Sequence, residues 1–264
     1  MYNFNYHRPL SVNEAVDRLG SVSEGVLVAG GMTLIPTLKQ RLANPSDLID
    51  LCDIGDLRGV SEDGGAVVVG AMTTHATVAA DETVRARIPA LASLAGGIGD
   101  PQVRNCGTIG GSVANADPAA DYPAAVVGLG ATIQATQGTH AGDDFFTGLF
   151  ETALEAGEII TGVSFPVPDK AAYAKFANPA SRYAIVGVFV SQGPAGTRVA
   201  VTGAGASVFR ATEMEQALSA NFSPDALSGI SVSADGLNAD IHASAEYRAH
   251  LVGVMAARAV AACA

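Results

Sequence analysis

The sequence contains no tryptophan, only three cysteines, and too few bases, 15 Lys and Arg against 26 Asp and Glu, to offset its acids. Three thiols spread over Cys52, Cys106 and Cys263 build neither a disulfide framework nor a C-x-x-C metal or iron–sulfur site, so a reducing, cytoplasmic setting is the expectation. A formal charge of -11 has the wrong sign for a protein held by phosphate backbones or anionic lipid, which argues against nucleic acid as a partner. No run approaches the length of a membrane-spanning segment, and "MYNFNYHRPLSVNEAV" lacks the basic start and apolar stretch of a signal peptide. A soluble, unexported chain without a transmembrane segment is expected. The five histidines, His7, His75, His140, His242 and His250, show no metal-ligand spacing, and no nucleophile elbow appears. If this protein does chemistry, a bound cofactor supplies it.

What is present is a large hydrophobic fraction, 48%, enough for a sizeable core. Ser11 and Glu14 have capping-box spacing, and Val12, Ala15, Val16 and Leu19 follow at helical intervals until Gly20. Val26 to Ala29 reads as a buried strand that runs into Gly30-Gly31, after which Thr33 is placed to cap a helix through "LIPTLKQRLA". "DLIDL" and "AVVVG" read as strands, and residues 76–99 as helices broken at Pro89 and Gly96-Gly97. "DYPAAVVGLGA" reads as a short helix, and "TIQAT" and "EIITGVSFPVP" as strands. Mixed elements without strict alternation predict an α+β fold. From about Ala171 the pattern changes to alternating stretches followed by helical ones, which places a domain boundary near residue 170 and divides the chain into 1–170 and 171–264. The C-terminal helix around "VGVMAARAVAACA" is apolar on more than one side and is read as buried within its own domain.

Two glycine-rich loops stand out, Gly30-Gly31 and "RNCGTIGGSVANADP" at 104–118. Glycine lets the backbone turn with positive φ and come close to a ligand, so that successive N–H groups can face phosphate oxygens. The hydroxyls of Thr33, Thr108 and Ser112 are short donors for the same oxygens, and Asn115 or Asp117 can reach ribityl or ribose hydroxyls. Either loop alone reads first as an ordinary capped turn, and it is the pair that points to a ligand. Cys106, beside the second loop, reads as a small buried thiol rather than a nucleophile. Gly203-Ala204-Gly205 resembles the start of a dinucleotide fingerprint, but its third glycine position is Val208, and a plain strand-to-helix turn is the preferred reading.

Taken in order, "AGGMTLIPTLKQRLANPSDLIDL" at 29–51, "RNCGTIGGSVANADPAADYPAAVVGLGA" at 104–131, and "ASRYAIVGVFV" with "HASAEYRAHLVGVMAARAV" further on resemble the FAD-binding medium subunits of the molybdenum hydroxylases. The resemblance covers nearly the whole chain. It implies a two-subdomain FAD-binding fold of the vanillyl-alcohol-oxidase type, followed by a C-terminal three-stranded antiparallel sheet and a helical bundle. It further implies non-covalent FAD, whose pyrophosphate is held by Ala29, Gly30, Gly31, Met32, Thr33 and Leu34 and by Thr108, Ile109, Gly110, Gly111 and Ser112. Asn115, Ala116, Asp117 and Pro118 continue that wall. Asp121 matches an acid that contacts the nucleotide in relatives, and Tyr183 matches a place where an aromatic lies near the isoalloxazine ring, the alternative being a core tyrosine with its hydroxyl satisfied.

Met32 departs from the family pattern, in which a polar residue is frequent, and Asn178-Pro179 occupies a segment that is often more basic. The resemblance implies an electron-transferring oxidoreductase subunit. A large molybdopterin subunit oxidises the substrate, a small subunit with two [2Fe–2S] clusters relays electrons, and the whole assembles as a dimer of heterotrimers. No metal is expected in this chain. Two rival readings stay open: a free-standing NAD(P)-dependent dehydrogenase using the 203–205 glycines, and a scaffold subunit that has lost its cofactor.

Overall fold

The computed structural model describes residues 1–263. It begins with a small parallel sheet. Strand β1 (Asn5–His7) leads through helix α1 (Val12–Gly20) to β2 (Gly25–Val28), and β2 leads through α2 (Leu34–Lys39) to β3 (Asp47–Asp50), which lies between the other two. Ser11 accepts from the Glu14 N–H at 3.2 Å, as the capping signal predicts, while the Glu14 carboxylate reaches past the cap residue to accept from the Leu10 N–H at 2.8 Å. Ile49, Ala15, Leu51 and Ile54 bury one face of this sheet.

The next unit is an antiparallel sheet flanked by helices. Strands β4 (Val60–Asp63) and β5 (Ala66–Gly70) precede helices α3 (His75–Ala80), α4 (Glu82–Arg87) and α5 (Pro89–Gly96). Then come α6 (Pro101–Cys106), α7 (Ile109–Asn115) and α8 (Tyr122–Leu129), followed by β6 (Thr132–Ala135), β7 (Gly138–Ala141), the single turn α9 (Gly142–Phe145), the hairpin β8 (Phe146–Gly148) and β9 (Glu151–Thr152), and β10 (Ile160–Pro166). The sheet order is β4-β5-β10-β6-β7. Every residue of α8 is buried, which fits its lack of a polar face.

Strands β11 (Lys170–Ala177), β12 (Ala184–Gly193), β13 (Gly196–Thr202) and β14 (Phe209–Arg210) form a third sheet, also antiparallel, carrying α10 (Thr212–Ala220) and α11 (Ala245–Ala262). Three long strands are those expected; β14 adds two residues at the edge. Helix α11 buries Leu251, Val252, Met255, Ala256, Ala259 and Val260 in the core it shares with this sheet. Each of the larger side chains contributes about 2 kcal/mol by leaving water. The helix is therefore buried within its own unit. Phe189 of β12 crosses to the other core and packs on α8, where a Cβ at Gly128 would lie 2.8 Å from its ring.

Three readings of the sequence change here. The stretch 104–118 is not an open loop: α6 and α7 run through it with a turn at Gly107-Thr108. Within α7 a side chain is excluded at Gly110, where a Cβ would sit 2.7 Å from the Ala71 carbonyl oxygen. Cys106 is exposed rather than buried, since it lies on the open face of the last turn of α6. At Gly203 the N–H donates to the Pro118 carbonyl at 2.7 Å, and a Cβ would lie 2.5 Å from the Ala184 carbonyl oxygen, so this turn is packed against backbone and leads into β14.

Candidate functional site

A cavity of about 560 Å³ opens where the C-terminal ends of the parallel sheet face α6, α7 and the start of β10. That size is in the range of cofactor and ligand sites. Its walls carry Ala29 through Leu34 on one side and Thr108, Gly110, Gly111, Ser112, Asn115 and Asp117 on the other, with Asp121 and Tyr183 also on the wall. Ile109 and Ala116 lie behind this surface in the core, and Pro118 turns its carbonyl to the N–H of Gly203 and the hydroxyl of Thr202.

The first stretch is built for close approach to an anion. Gly31 has φ +69°, a conformation that side chains disfavour, and it turns the chain from β2 into α2. A Cβ on Gly30 would overlap the Cys106 carbonyl and sit 2.8 Å from the Gly107 Cα, so the two glycine stretches touch backbone to backbone. Among the described residues, the N–H groups from Gly30 to Thr33 have no protein acceptor. Thr33 precedes α2 but does not close a cap, because its backbone is already helical, φ -101° and ψ -48°. Its hydroxyl instead lies beside that of Tyr183.

The second stretch is different. Ile109 donates to Thr73 at 3.1 Å, Gly110 to Ala71 at 2.8 Å and Ser112 to Thr108 at 3.0 Å, while Gly111 donates to the Thr108 hydroxyl at 3.2 Å. Of positions 107–112, among the described residues, Thr108 alone keeps its N–H without a protein acceptor. This wall offers glycine surface and the Thr108 and Ser112 hydroxyls, not a run of free amides. Ala116 ends α7 in the left-handed region, φ +46°, which places Asn115 and Asp117 on the cavity side of the turn.

Asp121 does not face the cavity as a free acid. Its carboxylate accepts from the Tyr173 hydroxyl at 2.5 Å and lies 3.0 Å from Lys175 Nζ, and Lys175 also donates to the carbonyls of Gly97 and Arg182. Burial, reinforced by Asp121, pushes the Tyr173 phenol up, so it stays a donor. Tyr183 is half-exposed at the cavity wall rather than in the core; partial burial, then the carboxylates of Asp117 and Asp121, push its phenol up. It is placed by a loop in which Asn178 Oδ1 accepts from Ala180 and Ser181, and Arg182 stands at φ +63°. Met32, 40% exposed, lies on the opposite wall.

Sequence reasoning missed His75, Tyr173, Lys175 and Arg182. His75 opens α3 and lines the cavity; burial, with Arg104 adding to it, pushes its imidazole down to about 4. Tyr173 and Lys175 lie 52 and 54 residues from Asp121, and no local spacing announces such a pairing. Among the described residues Arg182 is the one cation on the wall, and no cluster of His, Cys, Asp or Glu is suited to a metal ion. An anion entering here meets backbone N–H groups and short hydroxyls rather than lysines, which fits a pyrophosphate held at a strand-to-helix turn.

The sequence profile described as "FAD binding domain in molybdopterin dehydrogenase" matches residues 2–168. The chain is 37% identical to the carbon monoxide dehydrogenase medium chain of Afipia carboxidovorans, over 98% of this chain and 96% of that one. It is 35% identical to the nicotine 6-hydroxylase medium subunit of Paenarthrobacter nicotinovorans, over 97% and 95%. The crystal structure of quinoline 2-oxidoreductase from Pseudomonas putida 86 superposes with a TM-score of 0.88 at 30% identity, covering 99% of this chain and 96% of that one. The fold is that of these FAD subunits, a vanillyl-alcohol-oxidase-type arrangement with its C-terminal sheet and helices.

Proposed function

On the premise that the chain belongs to the FAD-binding medium subunits of the molybdenum hydroxylase family, we propose that it carries electrons from the [2Fe–2S] clusters of a small partner subunit, through FAD, to an external acceptor. The observation that carries the reading is the run of unpaired N–H groups from Gly30 to Thr33, set at a positive-φ glycine turn on the wall of the cavity. Bound FAD exchanges electrons singly or in pairs, which is the chemistry the subunit contributes. The chain's own residues bind, orient and shield.

In this reading Ala29 to Leu34 receive the pyrophosphate through backbone N–H groups, while Thr108 and Ser112 add hydroxyls. Gly110 and Gly111 supply a surface flat enough for backbone to approach phosphate, with Ile109 packed in the core behind them. Asn115 and Asp117 form the wall beyond it, held in place by the buried Ala116 and by Pro118, whose carbonyl ties the turn to Thr202 and Gly203. Asp121, fixed by Tyr173 and Lys175, positions that wall, and Tyr183 stands at the mouth, where an aromatic can stack on a ring and limit access. No group here need touch an organic substrate, which is oxidised in a large molybdopterin subunit. The three chains form a dimer of heterotrimers in the cytoplasm, with residues 1–170 and 171–264 as the two domains of this one.

The test uses a tagged chain recovered from its source organism. FAD and two further subunits should co-purify, and chemical reduction of the iron–sulfur subunit should bleach the flavin band. Recovery of a colourless chain with both partners would instead favour a scaffold that has lost its cofactor.

A further inference from the structure

His75 sits behind the second glycine stretch and has no part in the roles assigned above. Its N–H donates to the Gly107 carbonyl at 3.0 Å, and its ring lies edge-on to Gly107, where a Cβ would come within 2.6 Å of Nε2 and 2.9 Å of Cδ2. The residue is 5% exposed and lines the cavity. Among the described residues neither ring nitrogen has a hydrogen-bond partner, and Nδ1 is buried. Tyr122, whose ring centroid is 5.3 Å away, likewise has its hydroxyl buried and unpaired. Buried polar atoms without partners are rare and costly, and each calls for an explanation. Here nothing in the protein fixes the imidazole tautomer.

Resting on the reading that the cavity holds FAD, we propose that His75 is a further cofactor contact, which donates its Nε2–H to an acceptor atom of the bound nucleotide. That bond fixes the tautomer, leaves Nδ1 as a bare acceptor, and explains why Gly107 must have no side chain between imidazole and cavity. The residue is a hydrogen-bonding partner, not a base, and its partner is an oxygen or ring nitrogen.

The experiment is a ¹H–¹⁵N spectrum of the imidazoles in the full-length chain labelled with ¹⁵N-histidine, recorded through a titration with FAD. His75 is assigned by elimination, using single glutamine variants of the other four histidines. As FAD binds at one per chain, His75 should move to the pattern of a protonated Nε2 and a bare Nδ1. FAD affinity should fall about fivefold to tenfold in His75→Leu and stay within about twofold in His75→Gln, the size expected for one buried hydrogen bond. Stoichiometric FAD with an unmoved His75 spectrum overturns the inference and leaves the FAD reading standing. Equal losses in the leucine and glutamine variants also overturn it, by making the role one of packing. A chain that takes up no FAD overturns both.

Discussion

Residues 29–34 and 107–112 meet back to back at Gly30 and Gly107, yet the first leaves the N–H groups from Gly30 to Thr33 free, whereas the second gives those of Ile109 to Ser112 to protein acceptors. Both are glycine-rich turns that enter a short helix. The difference lies in what the glycines serve. At Gly31 the demand is a left-handed backbone, and at Gly110 it is contact with Ala71. Glycine content alone therefore does not identify an anion cradle; the fate of the N–H groups does.

The two stretches are most vulnerable at their point of contact. Gly30→Ala forces a Cβ into the Cys106 carbonyl, and backbone cannot yield as a flexible side chain does. We expect a loss of about 3 kcal/mol in thermal or urea unfolding, together with loss of bound FAD. Wild-type melting with FAD retained would show that the two stretches do not touch.

An effect of similar size comes from His75, which supports the second stretch only. Burial holds its folded-state pKa at about 4 against an ordinary 6.5, so between these values the unfolded chain binds a proton that the folded chain does not. Stability should therefore fall as pH drops from 6.5 to 4, by about 3 kcal/mol from this group, with no further loss from it below that window. His75→Gln should flatten the slope in melting curves recorded across that pH range. An unchanged slope would place the acid sensitivity elsewhere.

Gly110→Ala should cost about 2 kcal/mol through overlap with Ala71. FAD affinity measured well below the melting temperature should change much less than in Gly31→Ala, which disturbs the free N–H run. A Gly110→Ala protein that melts normally but has lost FAD would reverse the assignment of the two stretches. The smallest effect belongs to the cap: Thr108→Val should cost about 1 kcal/mol by freeing the Gly111 N–H, and Thr108→Ser should restore it.

Much of the fold was legible in the sequence because its signals are local. Ser11 and Glu14 mark the start of α1, Pro89 opens α5, and the alternation after residue 170 becomes the third sheet. The site was legible where the chain turns between strand and helix, at Gly30-Gly31. It was misread where glycines are helical for packing reasons, since nothing near Gly110 in sequence reveals that Ala71 lies against it. The partners of Asp121 were not legible because Tyr173 and Lys175 reach it only through the third sheet. His75 escaped notice because a search for metal-ligand spacing discards a lone histidine. Its only local signal is that Thr74 caps the helix it opens, by accepting from the Thr77 N–H.

FAD binding at the Gly30–Thr33 turn is tested by an absorption spectrum of the purified full-length chain, before and after acid precipitation, repeated on Gly31→Ala. Flavin bands that pass to the supernatant at about one FAD per wild-type chain, and fade in the variant although it remains folded, are the predicted result. A folded wild-type chain that is colourless, and takes up no added FAD either alone or with its partner subunits, would contradict the account.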